Sequence, residues 1–378
     1  MTKKELIRMI AFGIAVSLLL GFLCDLFENE NNRNYDKRLF SYRRYNKDTV
    51  DAVYIGTSGV DRYWIGAKAF EDYGMTVYPL STDGLPSWLY VDMLEYALTY
   101  QNPELVLLDV RAFCQDNVLT GMSTKTMDIK AHRFLNAVPW YSMLRLKAAF
   151  KTMELIHRVD ETEPRFNISL LFPFVRFHQR WQEVGLSTFE RNLGSKEHEF
   201  CGYYLHPSTT TLSTPMNPKP YDPTAKDVMD PLSEEAFYDT ISYAQEKGVK
   251  IVFVDSPQIT KHHEMVRANY IYEKLDEMGI DYVTFYTSEG ESNFTIDLDP
   301  AKDFYNTSHV NFFGAVKFTD SLAAYIDEHY DLPDRRNDPK AQENWGGVYA
   351  KIQETVQYYI DNDTADPNAI LLDGASDE

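Results

Sequence analysis

The strongest limit on the fold comes from short apolar runs that alternate with stretches of helical periodicity. Runs at 51–55, 75–80, 105–110, 249–254 and 280–285 read as strands. Stretches 65–73, 88–100, 233–247, 263–278 and 312–329 read as helices. The run LVLLDV at 105–110 is apolar almost throughout, as expected for a parallel strand covered on both faces. Gly74, Gly248 and Gly279 stand where helices would stop. The alternation predicts a three-layer α/β domain around a parallel sheet.

The rhythm breaks in the middle. Residues 50–114 and 233–332 carry it, and 115–232 are read as a large, mainly helical insertion with helix-like pieces at 140–156 and 170–184. Within the insertion, 207–223 are rich in Ser, Thr and Pro. Residues 28–49 are polar and charged and read as a linker. Residues 333–378 form an acidic extension, with one helix expected at 350–360 and disorder over the last dozen residues.

The N-terminus is of another kind. Lys3, Lys4 and Arg8 precede an uncharged run, MIAFGIAVSLLLGFLC, at 9–24. Sixteen helical residues span about 24 Å, and the apolar flanks 6–7 and 26–27 lengthen this toward a bilayer's core. No small-x-small cleavage site follows, so an uncleaved anchor at 1–27 is preferred to a signal peptide. Leu23 is too large for a lipoprotein box before Cys24. Lys3 and Lys4 orient the anchor with the rest of the chain outside the cytoplasm. There Cys114 and Cys201 could pair, although nothing in their spacing requires it.

A formal charge of −20 argues against a general nucleic-acid binder, because phosphate contacts need basic patches, and also against broad adhesion to anionic lipid. No CxxC or HExxH pattern occurs, so neither a metal nor another cofactor is expected.

Two sites carry chemistry. Gly56-Thr57-Ser58 ends the first strand, and Ser308-His309-Val310-Asn311 precedes the last helix. Open α/β sheets bind ligands at the carboxyl ends of their strands, where a serine and a late histidine can meet as nucleophile and base. The backbone N–H of Ser58 could face an oxyanion. Gly-Thr-Ser-Gly-Val lacks the last glycine of Gly-x-Ser-x-Gly, so the α/β-hydrolase elbow is not matched. Ser58 could equally end the strand and cap the next helix. Asp303 or Asn306 could orient the His309 ring. Asp255-Ser256-Pro257 falls on the same edge, and a turn explains it as well. Triplets at Asn167, Asn293 and Asn306 match glycosylation acceptors, a pattern common by chance.

The blocks 51–58 and 303–317 resemble those of the SGNH/GDSL hydrolase superfamily. More narrowly, they resemble its membrane-anchored branch, which serves D-alanyl-lipoteichoic acid transfer and alginate acetylation. The resemblance implies a flavodoxin-like external domain behind an N-terminal anchor in a bacterial membrane, with Ser58 as nucleophile and His309 as base. The branch's late block is Asp-x-x-His; here Asn306 holds the Asp position, and Asp303 is the nearest carboxylate. The second block of the family supplies an oxyanion glycine after the second strand, and Gly84 is the nearest match to it here. The third block's Gly-x-Asn-Asp is absent, and Asp109-Val110-Arg111 stands there. Arg111 could stabilise an oxyanion, bind an anionic polymer, or pair with Asp109.

The function implied is ester hydrolysis or O-acyl transfer on a cell-envelope glycan through acyl-Ser58, with a multi-pass membrane acyltransferase as the acyl donor's source. The aromatic-rich insertion could cover the site and hold sugar rings, with core packing as the default explanation. The alternative is a non-catalytic scaffold that keeps the fold of a cell-envelope modification complex.

Overall fold

A computed structural model describes residues 1–27, 33–119, 121–139, 141–182, 185, 200–206, 222, 224–258, 262–284, 296–299 and 302–362. The expected Ser/Thr/Pro-rich stretch, the Asn293 triplet and the extreme C-terminus lie largely or wholly outside the described residues. The chain divides into two compact units, Met1–Lys37 with Thr124–Lys196, and Arg38–Ser123 with Glu197–Glu378.

The second unit is built on a five-stranded parallel sheet. Its strands are β1 (Ala52–Gly56), β2 (Val77–Ser81), β3 (Leu105–Asp109), β4 (Lys250–Asp255) and β5 (Tyr282–Thr284). Their order is β2-β1-β3-β4-β5, the order of flavodoxin-like doubly wound sheets. β1, β2 and β3 are buried along their whole length, which accounts for their continuous apolar character. Pairing runs in register from Ala52↔Val77 to Gly56↔Ser81, so β1 and β2 end side by side.

The reversal in strand order, with right-handed crossovers, sends the first connection to one face and the later ones to the other. Helix α4 (Gly66–Tyr73) follows β1, and the later α13 (Phe312–His329) packs against it. On the other side, α5 (Tyr90–Tyr100) packs with α11 (Pro231–Lys247), and α6 (Arg111–Gln115) packs with α11 and with α12 (His262–Met278). Gly248 and Gly279 follow α11 and α12 with left-handed φ of 68° and 63°. A two-stranded antiparallel hairpin, β6 (Phe304–Asn306) and β7 (His309–Val310), sits just before α13.

Three expectations change. The stretch read as a linker contains α2 (Arg33–Arg44), whose Arg38, Leu39 and Tyr42 are fully buried. Arg38 is admitted because each nitrogen of its guanidinium has a partner. It pairs with Asp61 at 2.7 Å and donates to the carbonyls of Ser81 (2.9 Å) and Gly202 (2.7 Å). The C-terminal extension is structural too: α14 (Pro339–Trp345) buries Trp345 against Phe70, Tyr45 and Tyr78, and α15 (Val348–Asn362) follows. Residues 200–206, read as insertion, belong to the sheet unit and bury Cys201 and Tyr203. Cys114 and Cys201 are both buried free thiols, not a disulfide.

In the first unit, α1 (Lys3–Leu26) is long and apolar enough to cross a membrane. Its remaining helices are α7 (Thr124–Ala137), α8 (Met143–Val159), α9 (Ile168–Leu171) and α10 (Pro173–Arg176). α7 buries Met127, Ala131, Phe134 and Leu135, spaced as one helical face, and packs against α8. The single helix expected over 170–184 is instead α9, α10 and a 3-10 turn at His178–Gln182. α10 starts at Pro173, a residue with no N–H to continue an unbroken helix through that position.

Candidate active site

The site gathers at the carboxyl edge of the sheet. Thr57 caps α3 (Ser58–Asp61), a single helical turn that begins directly after β1. Residues 51–60 are buried except Ser58, which is half-buried. The hydroxyl therefore faces the one opening in that segment.

The turn is pinned from beneath by Asp109 at the end of β3. Its carboxylate accepts from Thr57 Oγ1 (2.7 Å), Thr57 N (3.2 Å) and Arg111 N (3.2 Å). Glycine is required for this approach: a Cβ on Gly56 would stand 2.2 Å from Asp109 Cβ, and one on Gly59 would stand 2.7 Å from Arg111 Nη1. Burial pushes the Asp109 carboxyl above its ordinary range.

Ser58 Oγ lies 2.8 Å from His309 Nε2. His309 pairs with Asn306 across the β6–β7 hairpin, joined by the two-residue turn Thr307-Ser308. That pairing explains the spacing of three: residues on either side of a two-residue turn face each other. Asn306 Oδ1 accepts the backbone N–H of Ser308 (2.9 Å), so it is the oxygen, not the amide nitrogen, that faces His309 Nδ1 at 3.0 Å. Nδ1 must then carry the proton, which leaves the lone pair on Nε2, beside Ser58. This is the tautomer a general base needs.

Asp303 does not reach the ring. Its carboxylate accepts from Lys317 Nζ (2.8 Å) and Asp299 N (2.7 Å), and its carbonyl accepts from Asn311 N (2.8 Å). It braces the start of α13, so of the two candidate orienters Asn306 is the one in contact with His309.

Arg111 serves as a strut. Nη1 donates to the Ser308 carbonyl (3.0 Å), Nη2 donates to the Tyr63 hydroxyl (3.1 Å), and the guanidinium lies 5.0 Å over the Tyr63 ring. Its contact with Asp109 runs through the backbone N–H, not through a side-chain ion pair. Gly84, with φ of 60°, follows Asp83 in the turn after β2, closed by Leu85 N to Thr82 O at 3.0 Å. Asp255, Ser256 and Pro257 make a bonded turn: Asp255 accepts from Tyr272, Ser256 Oγ meets Tyr54 Oη at 3.0 Å, and the Pro257 carbonyl is within reach of the Tyr63 hydroxyl.

Four residues at the site were not singled out from the sequence. Arg62 Nη1 lies 3.0 Å from His309 Nε2, Nη2 lies 3.5 Å from Asp83, and the guanidinium sits 5.0 Å over the Tyr204 ring. Position 62 is four beyond Ser58, one helical turn away on the same face, a spacing that could have marked it. Tyr305 stacks on His309 at 5.6 Å, and His206 stacks on Tyr305 at 3.9 Å. Tyr204 and His206 come from a distant part of the sequence, and no local pattern signals them.

Loss of solvent, then Arg62, Arg111 and His206, hold His309 well below its ordinary pKa. The ring is therefore neutral at pH 7, with its Nε2 lone pair toward Ser58, while Arg62 Nη1, 3.0 Å from Nε2 and 3.5 Å from Nδ1, lies over the ring. No group of three or more His, Cys, Asp or Glu that could hold a metal occurs among the described residues.

No protein-family model matches the chain, and no curated protein does. A solved protein from Bacteroides fragilis, provisionally described as an acylhydrolase, matches over 73% of this chain and 86% of its own at 9% identity, with a TM-score of 0.30. A likeness that low carries no argument about activity, and the site stands on its own geometry.

Proposed function

We propose that the chain is a membrane-anchored serine esterase or O-acyltransferase of the SGNH type, acting outside the cytoplasm on an acyl ester of a cell-envelope glycan. The observation that carries this is the 2.8 Å contact between Ser58 Oγ and His309 Nε2, with the lone pair placed by Asn306.

The chemistry follows from the atoms present. Ser58 Oγ attacks the acyl carbonyl while its proton passes to His309 Nε2. The new oxyanion lies near the backbone N–H of Ser58 and the Arg62 guanidinium, since the Gly59 and Val60 N–H groups are already given to Thr57 Oγ1 and Thr57 O. Imidazolium then protonates the leaving alkoxide, leaving acyl-Ser58. Water regenerates the free serine in hydrolysis; a sugar hydroxyl does so in transfer. Asn306 orients the ring without lending it negative charge, so the imidazolium is less stabilised than beside a carboxylate. The helix α1 would hold the enzyme at the membrane, where a multi-pass acyltransferase could load it.

A test is acyl-enzyme formation on p-nitrophenyl acetate by the full-length protein in detergent. A burst of nitrophenol and an acetyl group located on Ser58, both lost in Ser58→Ala, support the reading. Absence of both in folded protein contradicts it.

A second reading has a specific observation in its favour. Arg62 Nη1 lies over the His309 ring, 3.0 Å from Nε2 and 3.5 Å from Nδ1, and its charge opposes the imidazolium; a site latched this way suits a scaffold that has kept the fold and lost turnover. Recovery of labelling in Arg62→Ala would separate a latched enzyme from a scaffold.

A further inference from the structure

The first unit carries a patch that the chemistry does not use. The outer face of α8 presents Met143, Leu146, Lys147 and Phe150 at helical spacing, while Leu144, Ala148, Ala149, Thr152 and Met153 are buried on the other side. Phe166 lies beside Phe150 with ring centroids 6.3 Å apart. Tyr141, Met143 and Phe166 are 74%, 66% and 55% exposed. So many large apolar side chains clustered on one face are unusual on a surface that meets only water.

Charge sets this region apart. Residues 121–182 hold ten Lys or Arg and five Asp or Glu, a net +5 in a chain of −20. On α8 itself, Lys147 and Lys151 adjoin the exposed apolar residues, as in helices that lie in the headgroup layer of anionic membranes.

Position supplies the third argument. α8 packs on α9, α9 on α10, and α10 on α1. Residues 1–19 of α1 are exposed, and its buried residues, Gly21 and Cys24, lie at the carboxyl end. The helical insertion therefore stands where α1 would leave a bilayer.

We infer that the α8 face, with Tyr141 and Phe166, is a lipid-contacting surface that seats this unit in the anionic headgroup layer beside its own membrane helix. The inference rests on the reading of α1 as an anchor. Met143, Leu146 and Phe150 would enter the acyl boundary. The basic balance of residues 121–182 favours an anionic lipid surface over a protein groove, although Glu154 is also exposed on the α8 face.

The test uses the full-length protein in vesicles of phosphatidylcholine and phosphatidylglycerol. Nitroxide labels are placed at Leu146→Cys, Phe150→Cys and, within α1, Leu18→Cys. The native cysteines are buried, and unlabelled-site protein supplies the blank. Each label's collisions with oxygen, which partitions into lipid, are compared with those of a water-soluble nickel chelate. Loss of nickel collisions with retained oxygen collisions at 146 and 150, weaker in phosphatidylcholine alone, is the expected result. An immersed Leu18 label with nickel-accessible 146 and 150 labels overturns the inference and leaves the anchor standing. A nickel-accessible Leu18 label means that the anchor reading fails, and the inference falls with it. Labels at 146 and 150 shielded from both reagents indicate a protein surface and also overturn it.

Discussion

Replacing Asn306 by Asp should turn a weak base into a stronger one. Asn306 Oδ1 stands 3.0 Å from His309 Nδ1 and already accepts the Ser308 N–H, so a carboxylate can occupy the same two contacts. An opposite charge within 4–6 Å raises a histidine's pKa by about 1–3 units. Position 306 is half-buried, so water reaches the new carboxylate, and the lower part of that range, about 1–2 units, applies. The direction is upward because the carboxylate favours imidazolium, opposing the burial and the arginines that now disfavour it. The charge forms as Ser58 loses its proton, so the same interaction lowers the barrier by about 1.4–2.7 kcal/mol, or about 10- to 100-fold in rate. The assay is the second-order rate of fluorophosphonate labelling from acid to alkaline pH, with folding checked by circular dichroism. The account expects a faster rate and an acid limb displaced upward. An unchanged or slower rate in folded Asn306→Asp would refute the argument that missing charge at this position limits the base.

Three further outcomes follow from the same contacts. Arg62→Ala removes a cation from beside the His309 ring, so the His309 pKa should rise and the acid limb of labelling should move to higher pH; a limb unmoved in folded protein would show that Arg62 leaves the base unaffected. Arg38→Met leaves Asp61 buried without its partner and should cost about 3–5 kcal/mol, read as a lower urea midpoint, with a loss under 1 kcal/mol counting against the pair as a lock on the Ser58 turn. Burial pushes Asp255 up to about 7, so the folded state binds the extra proton and stability should fall as pH rises from about 4 to 7; Asp255→Asn, which can still accept from Tyr272, should flatten that slope, up to about 4 kcal/mol over the window.

Much of this was readable because the sheet is buried on both faces. Strands expected at 51–55, 105–110 and 249–254 occur at Ala52–Gly56, Leu105–Asp109 and Lys250–Asp255, and α13 begins and ends where its periodicity does. The α/β class with a parallel sheet follows directly from that. Ser58 and His309 were visible because a strand end and a hairpin before a helix are fixed by local sequence. What stayed hidden depends on contacts between distant residues. A polar stretch such as 33–44 looks like a linker until Arg38 is seen ion-paired in the core. Trp345 reads as part of an acidic tail until it is found stacked against Phe70. Asp303 looked like a triad member on charge alone, and Lys317, fourteen positions later, takes its carboxylate. His206 stacks on Tyr305, which stacks on His309, a chain of contacts that no local pattern shows.

The most direct measurement is the site of fluorophosphonate modification on the full-length protein, located by mass spectrometry, with Ser58→Ala as control. The account predicts one adduct, on Ser58, absent from the variant and suppressed by His309→Ala. Folded wild-type protein that remains unmodified, or carries the adduct elsewhere, would contradict the claim that Ser58 and His309 form a working nucleophile and base.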